Sequence, residues 1–333
     1  MNQNLTNTDK TKIKVQWVTL WVSLALLVFK FVAYFWTNSN SILSDAMESI
    51  VNVTASGFAL YSIYYAARPK DFNHPYGHGK MEFITSGIEG GMILIAGFFL
   101  IYKGIYNLIF PHHIQEMGFG LIVVAVGAAV NLILGLSLRS TGKKHRSPVL
   151  ESEGNHILSD SYSSFGLLIG IGIIMWTNIT WIDNAVTIFF GGLIIYMGYR
   201  IIRKSLKGVL DEADFGVLNE MIQFFQDNRK DDWVDIHNMR LIKFGSHYHF
   251  DIHLTLPFYY SIQQGDEIME EIEGLIKEKY GEDVENFIHI EPCLPKSCEI
   301  CSLSNCDKRS RPFQRKLEWI PENVLTNKKH ELK

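Results

Sequence analysis

Cysteine is missing from the first 292 of the 333 residues; all four lie in "PCLPKSCEICSLSNC" near the end. A disulfide framework is thereby excluded over most of the chain. Charge of one sign is also missing in bulk. The net charge is only −4, which gives no electrostatic footprint for nucleic acid. No HExxH helix with its glutamate base occurs, so the common zinc-hydrolase motif is absent. The N-terminal stretch "MNQNLTNTDKTKIK" lacks the short apolar core and small-residue cleavage site of a secretory signal, and the first apolar run is expected to stay in place as a span.

What is present is long apolar runs. Residues 1–205 carry them, while 206–333 are charged and polar like a soluble domain. Since about 20 apolar residues cross the hydrocarbon core as a helix, six spans are expected, at roughly 14–37, 41–67, 82–109, 117–139, 149–176 and 181–203. Lysine and arginine are absent from three connections, "TNSNS", "PHHIQEMG" and "TNIT". They cluster at the N-terminus, between the second and third spans, between the fourth and fifth, and after the sixth. The asymmetry predicts that both termini are cytoplasmic. Asn178-Ile-Thr matches a glycosylation sequon, which by itself is a weak signal.

The second and fifth spans are the least apolar. In "LSDAMESIVN" the spacing 3 then 4 puts Asp45, Glu48 and Asn52 on one helical face. In "ESEGNHILSDSYSS" the spacing 3, 4, 3 does the same for Glu153, His156, Asp160 and Ser163. Ionisable groups within a bilayer face a partner, a cavity or a pathway. If the two stripes meet, Glu48, Asn52, His156 and Asp160 offer one nitrogen and three oxygen donors. That set suits a borderline divalent cation such as zinc. The competing reading is polar contact between packed helices, which accounts for the serines better than for Glu48, His156 and Asp160. Asp45, one turn away, is a candidate access or supporting residue. Lys30 and Glu89 also fall inside spans; a buried ion pair or snorkelling contact is expected for them rather than a proton relay.

The connection "ARPKDFNHPYGHGKME" spaces Asp71, His74 and His78 by 3 and 4 around a turn. It reads as a metal site or as a solvated loop with incidental histidines. Taken together, the six spans, "SILSDAMESIVN", "NHPYGHGK", "SEGNHILSD" and the polar second half resemble the cation diffusion facilitator family of divalent metal transporters, in its bacterial ferrous-iron/zinc efflux branch. The resemblance covers about residues 12–292. It implies a homodimeric, proton-coupled antiporter in the bacterial inner (plasma) membrane, not an enzyme, with no organic cofactor. His156 and Asp160 match the family's His-x-x-x-Asp pair. Glu48 and Asn52 stand where zinc-transporting relatives have Asp or His followed by Asp. That is a departure from the family pattern; Zn2+ remains the leading cargo, with Fe2+, Mn2+, Co2+ and Cd2+ left open. The resemblance also gives metal-binding roles to the loop residues Asp71, His74 and His78.

Beyond about residue 213 the pattern runs helix, strand, strand, helix, strand, an order that fits a small α+β sandwich. The resemblance implies a ferredoxin-like cytoplasmic domain that dimerises. Alternation in "HYHFDIH" puts His247, His249, Asp251 and His253 on one face, and Tyr248, Phe250 and Ile252 on the other. The resemblance maps His237, His253, Asp266 and His289 onto regulatory metal positions, with Glu291 replacing an aspartate.

Cys293, Cys298, Cys301 and Cys306 form a Cys-x4-Cys-x2-Cys-x4-Cys run on the expected cytosolic side, where thiols stay reduced. They can hold zinc or an iron–sulfur cluster; a redox dithiol or incidental thiols are the other readings. The resemblance does not explain this module. The tail beyond it is expected to be partly disordered, with one docking patch near residues 317–320. The expected division is 1–205 transport domain, 206–292 cytoplasmic domain, and 293–333 cysteine cluster and tail. The function expected is metal efflux; the alternative is a membrane metal sensor that signals through the Cys/His domain. The expected partners are a second copy, metal ions, protons and the bilayer.

Overall fold

The computed structural model describes residues 5–37, 40–110, 119–177, 181–281 and 284–332. The side chains of Asp45 and Glu48 lie outside the described set, as do Asn178 and most of the lysine- and arginine-free connections. The chain divides into two compact units, Met1–Leu210 and Asp211–Lys333.

The first unit is six long helices: α1 (Asn7–Thr37), α2 (Asn40–Ala66), α3 (Met81–Ile109), α4 (Phe119–Lys144), α5 (Pro148–Thr177) and α6 (Trp181–Val209). Among the described residues, four stretches are long and apolar enough to cross a membrane: Asn7–Trp36, Met81–Ile109, Leu121–Lys144 and Asn184–Val209. They belong to α1, α3, α4 and α6. The helices α2 and α5 carry the polar stripes and are not among them. α5 starts where its sequence says it should. Pro148 occupies the first turn, where its missing N–H costs nothing. The Ser147 hydroxyl before it accepts from Leu150 N–H at 3.5 Å.

Glycine brings α4 and α5 together. A Cβ on Gly154 would sit 2.6 Å from Arg139 N and 2.9 Å from Gly135 O, both backbone atoms. Close backbone approach of this kind is how helices pack where hydrophobic exclusion gives no help. It also fixes the azimuth of α5, and so the direction in which its polar stripe points.

The second unit is α7 (Phe215–Asp227), β1 (Asp235–Phe244), β2 (His247–Leu256), α8 (Ile262–Tyr280) and β3 (Glu285–Pro292). These agree with the helix, strand, strand, helix, strand order read from the sequence. β1 and β2 form an antiparallel hairpin and β3 joins β2 in parallel, giving the order β1-β2-β3. Gly245, at φ 63°, makes the hairpin turn that a side chain would strain. Tyr248, Phe250, Ile252 and Leu254 point into a core shared with Leu218, Met221, Phe225, Ile272 and Ile276 of the two helices. That burial commits the alternate residues of β2 to the opposite face.

The tail is ordered, contrary to the sequence expectation. Trp319 is 3% exposed and belongs to the same core. The Arg229 guanidinium lies 3.9 Å over its ring and donates to Leu317 O at 2.6 Å. A short helix, α9 (Pro321–Val324), follows, and Asn238 N–H bonds Thr326 O at 2.7 Å. One large aromatic ring in an otherwise polar segment suffices to anchor it, because its buried area outweighs the ordering cost.

Candidate metal centres

Three of the sequence-predicted groups can be traced to positioned side chains. In the first unit α2 and α5 bring Asn52, His156 and Asp160 together. Asn52 Nδ2 donates to Asp160 Oδ2 at 2.7 Å, and Asn52 Oδ1 lies 3.0 Å from His156 Nε2. His156 Nε2 is 3.8 Å from Asp160 Oδ2. An amide oxygen, an imidazole nitrogen and a carboxylate therefore surround one point. His156 is buried and Asp160 nearly so. Glu48 lies on α2 one turn before Asn52, and Asp45 a turn further back. Lys30, Asn131 and Ser164 line the same small cavity as Asn52 and Asp160. Lys30 is thus an interior residue, 5% exposed, and does not snorkel to a surface.

One turn along α5 the polar stripe continues inward. The Ser56 hydroxyl donates to Glu153, and the Ser152 hydroxyl to Glu89. Glu89 and Glu153 are each 1% exposed, and their carboxyls are within hydrogen-bonding reach of each other. The described partners of Glu89 are therefore a serine and a second carboxyl, not the ion pair expected from sequence. The spacing in the sequence already put Glu153 on the stripe of His156 and Asp160. Nothing in the sequence signals that Glu89 would meet it. Further along, Lys12 Nζ sits 2.9 Å from Glu82 Oε1 and 3.0 Å from Asp9 Oδ1, all three buried.

The second group is the loop between α2 and α3. Asp71 Oδ1 lies 3.0 Å from His74 Nδ1, and Asp71 Oδ2 lies 3.3 Å from His78 Nε2. The three ligand atoms fall within 4.8 Å of one another. Asp71 Oδ1 also accepts from the N–H groups of Asn73 and His74, so the loop conformation aims it. Burial opposes ionisation of Asp71, but these bonds and the His74 ring hold its carboxyl below the usual value. His78 is buried edge-on to Tyr65, while His74 and Asp71 are open to solvent. The arrangement has the three donors and the open coordination positions of an accessible divalent site.

The third group is a row across the sheet of the second unit. The register pairs His237 with His253 and His253 with His289. All three histidines thus stand side by side on the face that β2 alternation leaves outside the core. His253 Nδ1 is 2.9 Å from Glu291 Oε1, and His237 Nε2 is 3.6 Å from Glu291 Oε2. His237, His253 and Glu291 offer ligand atoms within 4.8 Å of one another. His289 stands at the rim, its Nε2 3.7 Å from Glu291 Oε1. Burial holds the His237 ring below its ordinary pKa despite Asp235 and Glu291, so it is a neutral donor at neutral pH. A bulge after His237 puts Asn238 at φ 50°, and its amide meets His253 Nε2 at 2.9 Å. Sequence reasoning missed Asn238. It also missed the tail: Lys329 Nζ reaches Glu291 Oε2 at 3.0 Å, and His330 bonds Asp235. Asp266 is exposed on α8, which packs on the other face of the sheet, and is not brought to this row. The four cysteines are free thiols that line one cavity beside β3.

Comparison with known proteins agrees in both units. The family model described as "Cation efflux transmembrane domain" matches residues 16–210, and "Cation efflux protein, cytoplasmic domain" matches 219–293. The chain is 28% identical over 282 residues to an uncharacterized transporter of Synechocystis sp., covering 84% of this chain and 90% of that protein. It is 27% identical over 286 residues to the cation-efflux pump FieF of Citrobacter koseri, covering 83% and 90% respectively. FieF of Salmonella arizonae is also 27% identical, over 280 residues.

Proposed function

The chain belongs to the cation efflux family of membrane transporters, which are not enzymes, and from that premise we propose that it exports a divalent metal ion, Zn2+ first, from the cytoplasm in exchange for protons. The working form is a homodimer in a bacterial inner membrane, with six spans and both termini cytoplasmic. The match to the family's cytoplasmic domain, a dimerisation domain by its short name, supports this assembly. Fe2+, Mn2+, Co2+ and Cd2+ remain in the candidate cargo set, because affinity order alone does not set selectivity.

The observation that carries the reading is the contact of Asn52, His156 and Asp160 inside the helical unit. By its spacing in the sequence, Glu48 is the fourth donor of this reading. The hydrogen bonds also suggest how protons enter. With Asn52 Nδ2 donating to Asp160, its Oδ1 accepts from His156, so Nε2 holds a proton. That nitrogen must release its proton to ligate a metal. Metal arriving from the cytoplasm takes the Asp160 carboxylate, the Asn52 oxygen and the bared His156 nitrogen. After the helices rearrange, protons return to His156, Asp160 and Glu48 and expel it. Asn52 cannot carry a proton, so fewer groups couple than in a site with aspartate there. The loop group Asp71, His74 and His78 and the sheet group His237, His253, His289 and Glu291 bind metal on the cytoplasmic side. There they favour the transporting state of the dimer.

The test is proton flux in liposomes carrying the purified protein and a pH gradient, on adding each of the five metals. Flux is expected with Zn2+, and its loss by at least a hundredfold in Asp160→Ala. Absence of flux with every metal, while the second unit still binds metal, would instead favour a membrane sensor.

A further inference from the structure

The chain beyond residue 293 lies outside both matched family models. We propose that Cys293, Cys298, Cys301 and Cys306 bind an iron–sulfur cluster.

All four thiols line a single cavity of about 220 Å³, walled on the apolar side by Val234, Pro257 and Phe258. None is in a disulfide. The spacing of the thiols argues against a single zinc. A tetrahedral zinc holds its thiolates at about 2.3 Å, which puts the sulfurs about 3.8 Å apart and leaves no void. Here, among the described residues, no three of the sulfurs lie within 4.8 Å of one another. An iron–sulfur cluster spreads its four thiolates over two or four irons around a bulky inorganic core, so no three of them crowd one metal. The first three cysteines also have the Cys-x4-Cys-x2-Cys spacing with which plant-type ferredoxins hold a two-iron cluster.

The surroundings are built for anionic sulfur. Phe258 N–H points at Cys293 Sγ at 3.4 Å. Cys298 accepts from the N–H groups of Ser310 and Arg311, and Cys301 from that of Leu303. The Tyr259 hydroxyl is in hydrogen-bonding contact with Cys306. Bonds of this kind to sulfur tune and retain clusters. Arg309 ties the loop into shape, donating to the carbonyls of Cys298 at 2.9 Å, Cys301 at 3.1 Å and Leu303 at 2.6 Å. Its charge faces the negative charge that four thiolates and the cluster bring. Assembly takes iron and sulfide in equal numbers, as two ferric ions with two sulfides or two ferrous and two ferric ions with four, and releases the four thiol protons. The module joins the tail through Ile300 and Cys301, which pack with Val234, Leu317 and Leu332, so the cluster clamps the C-terminal segment to the second unit.

The full-length protein, purified in detergent without oxygen, should contain iron and acid-labile sulfide in equal amounts, about two or four of each per chain, with a broad visible charge-transfer band. Cys298→Ser and Cys306→Ser, both at partly exposed positions, should each lose at least tenfold of the sulfide. Size-exclusion and circular dichroism would show that these variants remain folded. Asp160→Ala should keep the full cluster, which separates it from transported iron. One zinc per chain without sulfide would overturn the proposal. So would no sulfide after anaerobic reconstitution with ferrous and ferric iron and sulfide.

Discussion

Asn52 shows how much chemistry one residue decides. Its amide spans His156 and Asp160, 3.0 Å and 2.7 Å away, and holds both without adding a charge to the interior. Lys329 plays the opposite part in the second unit, where it supplies a cation to Glu291. Burial opposes ionisation of Glu291, but the Lys329 ammonium and His253 hold its carboxyl below the usual value. Lys329 thus stands where a metal's charge would be felt. Lys329→Ala is expected to tighten Zn2+ binding at this row about fivefold, the worth of one partly exposed ion pair. Chelator competition on the full chain checks this, with His253→Ala identifying the phase. Equal affinity in the two proteins would show that the tail does not compete. Asp214 gives a pH prediction. It caps α7 through Gly216 and Val217 N–H and pairs with Lys243 at 2.5 Å. Burial pushes its carboxyl up, yet these contacts hold it, on balance, below the ordinary 3.8. A depressed folded value stabilises above the unfolded one, so the contribution is full at neutral pH. It disappears as pH falls below 3.8 through the folded value. Asp214→Ala should cost about 1 kcal/mol at pH 7, the cap alone, since the ion pair is too exposed to add much. Thermal melts at pH 7 and pH 3 should show that difference shrinking with acid.

At the scale of elements, the polar stripes work only if α2 and α5 keep their rotation. Gly154 guards it. Gly154→Ala would drive a methyl into Arg139 N and Gly135 O, neither of which can swing aside. The cost of such overpacking is about 1–3 kcal/mol, and α5 must shift or turn to relieve it. Metal flux in liposomes is expected to fall at least tenfold although no donor has changed. Flux unchanged in a folded variant would show that the α4–α5 contact does not position His156. Element existence was legible in the sequence, as was the alternation that turns His253 outward. The conformation of the tail was not. Trp319 reads as one apolar residue in a polar run, and only the groove between Arg229 and the core shows why it stays.

At the scale of the whole molecule, a helical unit and an α+β unit divide the work, and basic residues predict which side of the membrane each end occupies. Both termini on one side means that tags at residues 1 and 333 should be cleaved together by protease in inside-out vesicles and protected together in right-side-out ones. Cleavage of one tag alone would leave an odd number of crossings. Among the described residues, four helices of the first unit are long and apolar enough to cross a membrane. The two further crossings proposed above would fall to α2 and α5, whose polar faces are tolerable in a bilayer only when turned away from lipid.

The sequence alone determined the pieces that depend on local order. Apolar length and charge asymmetry marked the helices. The 3-4-3 spacing put His156 and Asp160 on one face, and period-two alternation put His253 outside the core. Tertiary structure decided what depends on distance in space. It brought Glu89 against Glu153, laid Lys329 on Glu291, and left α8 with Asp266 on the far side of the sheet. The reason is physical. Periodicity fixes the direction of a side chain relative to its own element, but the partner it meets is set by how elements pack, and packing is decided by the whole buried surface.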